Sequence, residues 1–165
     1  MQTQIKMHKL GRCFLLWFLC TACDGNRVFD AYQSIENGQW GKDELVSFEF
    51  EIRDTLVEND LYIQIRNTEA FAFNNLFIIA SLQFPNGEQS IDTLEYKMTD
   101  RFGNWLGNGF TDIKENKLYY KESFVFPVTG NYTIHLEQAM RKRNQVEGIE
   151  FLEGISDVGF RIEKK

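Results

Sequence analysis

Leu45-Val46-Ser47-Phe48-Glu49-Phe50-Glu51-Ile52-Arg53 decides the fold. Val46, Phe48, Phe50 and Ile52 alternate strictly with Ser47, Glu49, Glu51 and Arg53. Successive side chains point to opposite faces only in an extended chain, so this period of two predicts a strand with one buried and one wet face. Working outward, Leu61–Asn67 repeats the device: Leu61, Ile63 and Ile65 are expected on the core side, and Tyr62, Gln64 and Arg66 on the water side. Leu76–Phe84 is apolar on both faces, as a central strand requires, until Pro85-Asn86-Gly87 breaks it. That turn, followed by Ile91–Met98, predicts a hairpin. Leu118–Phe126, Tyr132–Met140, Val158–Glu163 and Val28–Ile35 bring the total to about eight strands. Many short alternating runs with turn signals between them predict an all-β fold. The expected form is an antiparallel β-sandwich of jelly-roll or immunoglobulin-like type. Phe126-Pro127-Val128-Thr129-Gly130-Asn131-Tyr132 reads as a turn into a late strand of such a sandwich.

The composition is consistent with this reading. A chain of 165 residues with 15% aromatic and 25% charged residues can bury one sizeable core, which excludes intrinsic disorder. A sequence pI near 5.0 argues against a nucleic-acid partner, because affinity for phosphates comes largely from Lys and Arg. The charge is unevenly placed. Residues 1–22 carry Lys6, Lys9 and Arg12 and no acid, so residues 23–165 hold 15 basic and 24 acidic groups, a net of −9.

The basic start leads into the eight-residue apolar run Cys13–Cys20, then Thr21-Ala22 and Cys23. Eight residues fall far short of the roughly 20 that span a bilayer but match the apolar core of a secretory signal. No second such run follows, so no transmembrane span is expected. Cys13 and Cys20 lie within this signal, and Cys23 is the one Cys of the mature chain, which therefore cannot staple itself internally. A lone Cys after a small residue at a signal's end fits the lipoprotein pathway, in which Cys23 is diacylated and becomes the new N-terminus. Cys20 stands where the lipoprotein signal usually has Leu, and an ordinary signal cut near Ala22 is the alternative. The expected organisation is a signal over residues 1–22, a lipidated tether over 23–27 and one sandwich domain over 28–165.

Catalytic chemistry is sparse. His135 is the single mature His, and its alternation with Ile134 and Leu136 places it on the wet face of a strand. One His supports neither a two-His metal site nor a convincing triad. Among 24 acids, some pair will stand at glycosidase separation by chance. We expect no catalytic residue, no metal, no cofactor and no small-molecule substrate.

Three features have a binding reading beside a structural one. Asp100–Phe110 combines three Gly with Trp105 and two Phe. It either presents Trp105 to a partner or sugar, or closes one end of the sandwich with it, which is the simpler reading. Trp40, beside Asn37-Gly38, has the same two readings. Arg141-Lys142-Arg143 is the compact basic cluster of an acidic domain, either a contact for anionic headgroups or an acidic partner, or a solvated loop end.

Several segments together resemble one family. They are Arg27-Val28-Phe29-Asp30 with Tyr32, Leu61-Tyr62-Ile63 leading to Arg66-Asn67-Thr68, and Phe84-Pro85-Asn86-Gly87 with Asp92-Thr93-Leu94-Glu95-Tyr96. Trp105-Leu106-Gly107, Gly109-Phe110, Asp112-Ile113-Lys114, Glu137-Gln138-Ala139-Met140-Arg141 and Asp157-Val158-Gly159 complete the set. In order and spacing, and after a lipoprotein-like signal, the chain resembles the GldH gliding-motility lipoproteins of Bacteroidetes-type bacteria. The resemblance implies a lipid-anchored cell-envelope protein, facing the periplasm, that is needed for gliding and linked to type IX secretion proteins, with no established enzymatic activity. It also implies that Asp54-Thr55-Leu56 and Asp92-Thr93-Leu94 match sites of O-glycosylation, at Thr55 and Thr93. The competing class is a carbohydrate-binding or glycan-processing surface lipoprotein, which would need Trp40 or Trp105 exposed in a groove beside carboxylates.

Overall fold

A computed structural model of the chain describes residues 25–109, 112–142 and 146–165. Its strands are β1 (Arg27–Ser34), β2 (Gln39–Gly41), β3 (Val46–Ile52), β4 (Glu58–Asn67) and β5 (Asn75–Gln83). β6 (Gln89–Lys97), β7 (Lys114–Val125), β8 (Gly130–Gln138), β9 (Phe151–Glu153) and β10 (Ile155–Lys164) follow. All pairings are antiparallel. One sheet has the order β1-β10-β4-β7, the other β3-β8-β5-β6, and β2 pairs with β9 in a small ribbon. The expected sandwich is therefore present, and its strand order is that of a jelly roll, not of an immunoglobulin domain.

The order follows from one long hairpin. Around the turn at Phe84–Glu88, β5 pairs with β6, β4 with β7, β3 with β8, β2 with β9 and β1 with β10. Rolling this ribbon adds the β4–β10 and β5–β8 pairings that complete each sheet. The tip is set by Gly87, whose φ of 86° suits a residue without Cβ, and whose N–H donates to the Phe84 carbonyl at 3.0 Å. The ribbon corners at Gly154, between β9 and β10, where φ is 84° and a Cβ would overlap the Phe71 backbone nitrogen.

Alternation sorts the side chains as the sequence predicts for β3: Val46, Phe48, Phe50 and Ile52 are buried and the residues between them exposed. They meet Val158, Phe160, Ile162, Leu61, Ile63 and Ile65 of the facing sheet in one core. Phe50 stands at its centre, with ring centroids 5.5 Å from Phe29, 5.6 Å from Phe160, 6.0 Å from Phe126 and 5.7 Å from Tyr132. Tyr132 is also tied down by its hydroxyl, which donates to the Val128 carbonyl at 2.7 Å and holds the turn before β8.

β4 departs from the expectation of a wet outer face, because Tyr62 and Gln64 are both buried. Neighbouring strands cover them. Tyr119 packs on Tyr62 at 4.6 Å, the Lys117 ammonium sits 4.0 Å over the Tyr62 ring, and Arg66 covers the Tyr32 ring at 4.0 Å. A strand second from the edge has long side chains on both sides, and these cover its outer face as well as its inner one. The two short strands β2 and β9 went unread in the sequence because three residues show no usable period.

The side of the sandwich where β6 and β7 form the outer strands is closed by polar groups. Asp92 accepts from the Tyr120 hydroxyl at 2.9 Å and the Lys121 ammonium at 2.8 Å, while the Tyr96 hydroxyl donates to the Tyr119 carbonyl at 2.8 Å. Burial opposes the Asp92 charge, but the hydrogen bonds from Lys121 and Tyr120 and the Lys121 charge outweigh it and hold the carboxyl below its usual value. Burial and the Asp92 partner push the Tyr120 phenol up.

Phe50→Ala is expected to cost about 3–5 kcal/mol, read as a lower urea midpoint with the slope unchanged. Asp92→Asn is expected to cost about 1 kcal/mol at neutral pH, since the carboxylate is partly exposed and water screens the pair. A depressed folded pKa contributes stability above the unfolded value of about 3.9 and loses it as pH falls through the folded value, so the gap between wild type and variant should close in acid.

Candidate functional site

The register sets every loop at one of two ends. At one end β1 begins beside the end of β10, with Arg27 opposite Glu163, and Ile52 of β3 lies opposite Gly130. The connections 53–57, 84–88 and 126–129 fall there, together with Gly25 and Asn26 ahead of β1. At the other end Ser34 lies opposite Asp157, Asn67 opposite Lys114 and Asn75 opposite Lys97. The connections 35–45, 68–74, 98–113 and 139–150 fall at this second end. Ten residues of β4 at about 3.3 Å each separate the two by about 30 Å.

The second end gathers the aromatic and basic residues singled out in the sequence. Trp40 lies there but is 0% exposed, with its indole N–H donating to the Glu44 carbonyl at 3.0 Å. Of its two readings the structural one fits: β2 carries Trp40 opposite Leu152 of β9 and inserts the ring into the core. Trp105 is half-buried against the core, with its ring 6.2 Å from Phe71, which fits the reading in which it closes the end of the sandwich. Arg141 and Lys142 are exposed, and Arg143 lies outside the described residues, as does Cys23.

The most exposed aromatic residue among the described residues is Phe102, 75% exposed. Asp100 builds the turn beneath it, accepting from the backbone N–H groups of Phe102 at 2.8 Å and Asn104 at 2.9 Å and from the Asn104 side chain at 2.9 Å. The Asn104 side-chain and backbone bonds hold the Asp100 carboxyl below its usual value. The Arg101 guanidinium lies 4.7 Å over the Phe102 ring, and Leu106 is also exposed. Phe102 was legible in principle, being a Phe between Arg101 and Gly103 inside a turn, with no apolar residue at alternate positions.

The basic segment does not stand alone. A groove of about 660 Å³ beside it is lined by Lys42, Asp43, Glu44, Glu147 and Glu150, among others. A second, of about 390 Å³, includes Arg141, Lys42, Asp43, Glu137 and Glu147. This surface is mixed and predominantly acidic around a few cations.

His135 sits on the outer sheet face as expected, its Nδ1 2.7 Å from the Ser47 hydroxyl because β3 and β8 place the two in register. This is a cross-strand pair of the kind that supports a sheet. Among the described residues no group of His, Cys, Asp or Glu is arranged to hold a metal ion, and no helix is long and apolar enough to cross a membrane. Thr93 is exposed on β6, and Thr55 is half-buried in the loop 53–57.

Fold and surface together define a jelly-roll sandwich that begins four residues after a cysteine and carries aromatic and charged loops at its far end. The chain belongs to the GldH lipoprotein family, whose model matches residues 27–162. It is 51% identical over 146 residues to the gliding motility lipoprotein GldH homolog of Christiangramia forsetii, covering 88% of this chain and 89% of the relative. It is 44% identical over 161 residues to the gliding motility lipoprotein GldH of Flavobacterium johnsoniae, covering 98% and 99%. Among solved structures, the infectious bursal disease virus VP2 subviral particle aligns with a TM-score of 0.40 and 10% identity, over 85% of this chain and 33% of that one. A likeness that distant carries no argument.

Trp40→Ala is expected to lower stability by about 3–5 kcal/mol, whereas Phe102→Ser should change it by less than about 0.5 kcal/mol, both measured by urea unfolding.

Proposed function

We propose that the chain is a lipid-anchored cell-envelope protein required for gliding motility, linked to the type IX secretion and gliding machinery, and that it acts by binding and not by catalysis. The observation that carries this reading is the separation of the two ends. The segment from Cys23 enters the sandwich at one end, and the loops with Phe102, Leu106, Trp105, Arg141 and Lys142 stand about 30 Å away at the other. An anchor on Cys23 then holds the body at the membrane and directs these loops away from it, toward other envelope proteins. The names of the two relatives support the motility role and the lipoprotein class.

In this arrangement residues 1–22 are removed as a signal, 23–27 form the lipidated tether and the sandwich follows, facing the periplasm. Arg141 and Lys142 lie at the wrong end to touch headgroups of the anchoring membrane, which leaves a protein partner as their contact. Burial of Trp40 and the packing of Trp105 on Phe71 weigh against the carbohydrate-binding alternative. Exposure of Thr93 on β6 leaves it open to O-glycosylation, with the half-buried Thr55 the poorer acceptor. A glycan stain on protein from its own host should be positive and should weaken on Thr93→Ala.

Mass spectrometry of membrane-extracted protein should find Cys23 at the N-terminus carrying acyl chains, and an unmodified Cys23 would refute the anchor. Crosslinking and affinity purification from gliding cells should recover motility or secretion proteins. The pair Arg141→Glu with Lys142→Glu, or Phe102→Ser, should lower that recovery several-fold while leaving membrane association unchanged.

A further inference from the structure

We infer that the tether end of the sandwich docks onto the lipid surface itself, with the loop 53–57 lying in the headgroup region and Leu56 inserted at the acyl boundary. This rests on the proposed acylation of Cys23. From Cys23 to Arg27, where β1 begins, there are four Cα–Cα steps, which reach at most about 14 Å when fully extended. The body therefore cannot stand clear of the bilayer, and whatever surrounds the start of β1 lies within a side chain or two of the headgroups.

The loop 53–57 occupies that place. Val28 of β1, Asp54 and Val57 of the loop, and Lys164 of β10 line one shared cleft of about 360 Å³. The Lys164 N–H donates to the Asn26 carbonyl at 2.8 Å, which ties the tether to the end of β10. At the tip of the loop Leu56 is 91% exposed, the most exposed large apolar side chain among the described residues, and Val28 and Val125 of the same end are also exposed. The tip is ordered for presentation: the Asp54 carboxylate accepts from the Leu56 N–H at 2.9 Å, a local turn that sends the side chain outward. A single exposed Leu on a water-facing surface needs no explanation. One held by a built turn beside a four-step lipid tether is in position to gain from leaving water, at about 0.8 kcal/mol per buried CH₂.

The charge at this end selects the kind of surface. Arg27, Arg53, Lys164 and Lys165 are offset by Glu51, Asp54, Glu58 and Glu122, with Arg53 bound to Glu51 at 2.6 Å and Lys165 to Glu122 at 3.6 Å. The contact is therefore apolar and should not require anionic lipid. The long Lys and Arg stems flanking it can reach up into water while Leu56 goes down.

Full-length protein processed in a lipoprotein-competent host, with Leu56→Cys as its one free thiol, would be labelled with an environment-sensitive fluorophore. It would then be reconstituted into vesicles of phosphatidylethanolamine and phosphatidylcholine. Val146→Cys, exposed at the opposite end, provides the comparison. Emission at position 56 should shift to the blue and fall about twofold with nitroxide-bearing lipid, as for a group buried about 5–10 Å into the interface, while position 146 should do neither. Equal, unshifted emission at both positions in protein that floats with the vesicles would overturn the docking and leave the anchor standing. Protein that fails to float would overturn the anchor and the docking with it.

Discussion

Nested antiparallel pairing is the constraint on which the rest of the structure depends. Each strand pairs with the one equally far from the turn at Phe84–Glu88, out to β1 with β10, which are separated by almost the whole length of the domain. A slip of one residue anywhere in such a ribbon would turn an entire apolar face outward, because side chains alternate with a period of exactly two positions. Register is defended where the sheets meet. Phe50 on β3 touches Phe29 of β1 and Phe160 of β10 across the core and lies nearly parallel to Tyr132 of its own sheet, so three strands beyond its own are held by one ring. Long-range pairing of this kind costs loop-closure entropy before contacts repay it, and a chain built this way is expected to fold slowly.

The same pairing gives the molecule two unlike ends. Because the chain enters beside the end of β10 and every second connection returns to that side, the tether shares its end with short loops, while the longer connections accumulate at the other. The short end has balanced charge and one protruding Leu. The far end has Phe102, Leu106 and a mixed-charge surface around Arg141 and Lys142. Under the proposed function, these two ends separate attachment from contact.

Much of the fold was legible from local pattern. Val46–Ile52 alternates cleanly because one face of β3 is wet, and Pro85-Asn86-Gly87 marks the turn between β5 and β6 because Pro cannot continue the ladder and Gly87 takes a positive φ. The family, too, was legible from short segments in order. The sites were less so. Trp40 and Trp105 have the same composition signature as exposed binding aromatics, and only their position on β2 and against Phe71 shows one buried and the other half-buried. Tyr62 and Gln64 read as wet but are buried, Tyr62 beneath the Tyr119 ring and Lys117 ammonium that β7 brings over it.

By itself, then, the sequence determined strand identity, the hairpin tip and the all-β class, since each rests on residues within about ten positions of one another. Tertiary structure alone decided jelly roll over immunoglobulin topology, the burial of Trp40 and the meeting of the loop 53–57 with the start of β1 and the end of β10. Those depend on which strands pair across more than a hundred residues, and a period of two is the same whichever partner a strand finds.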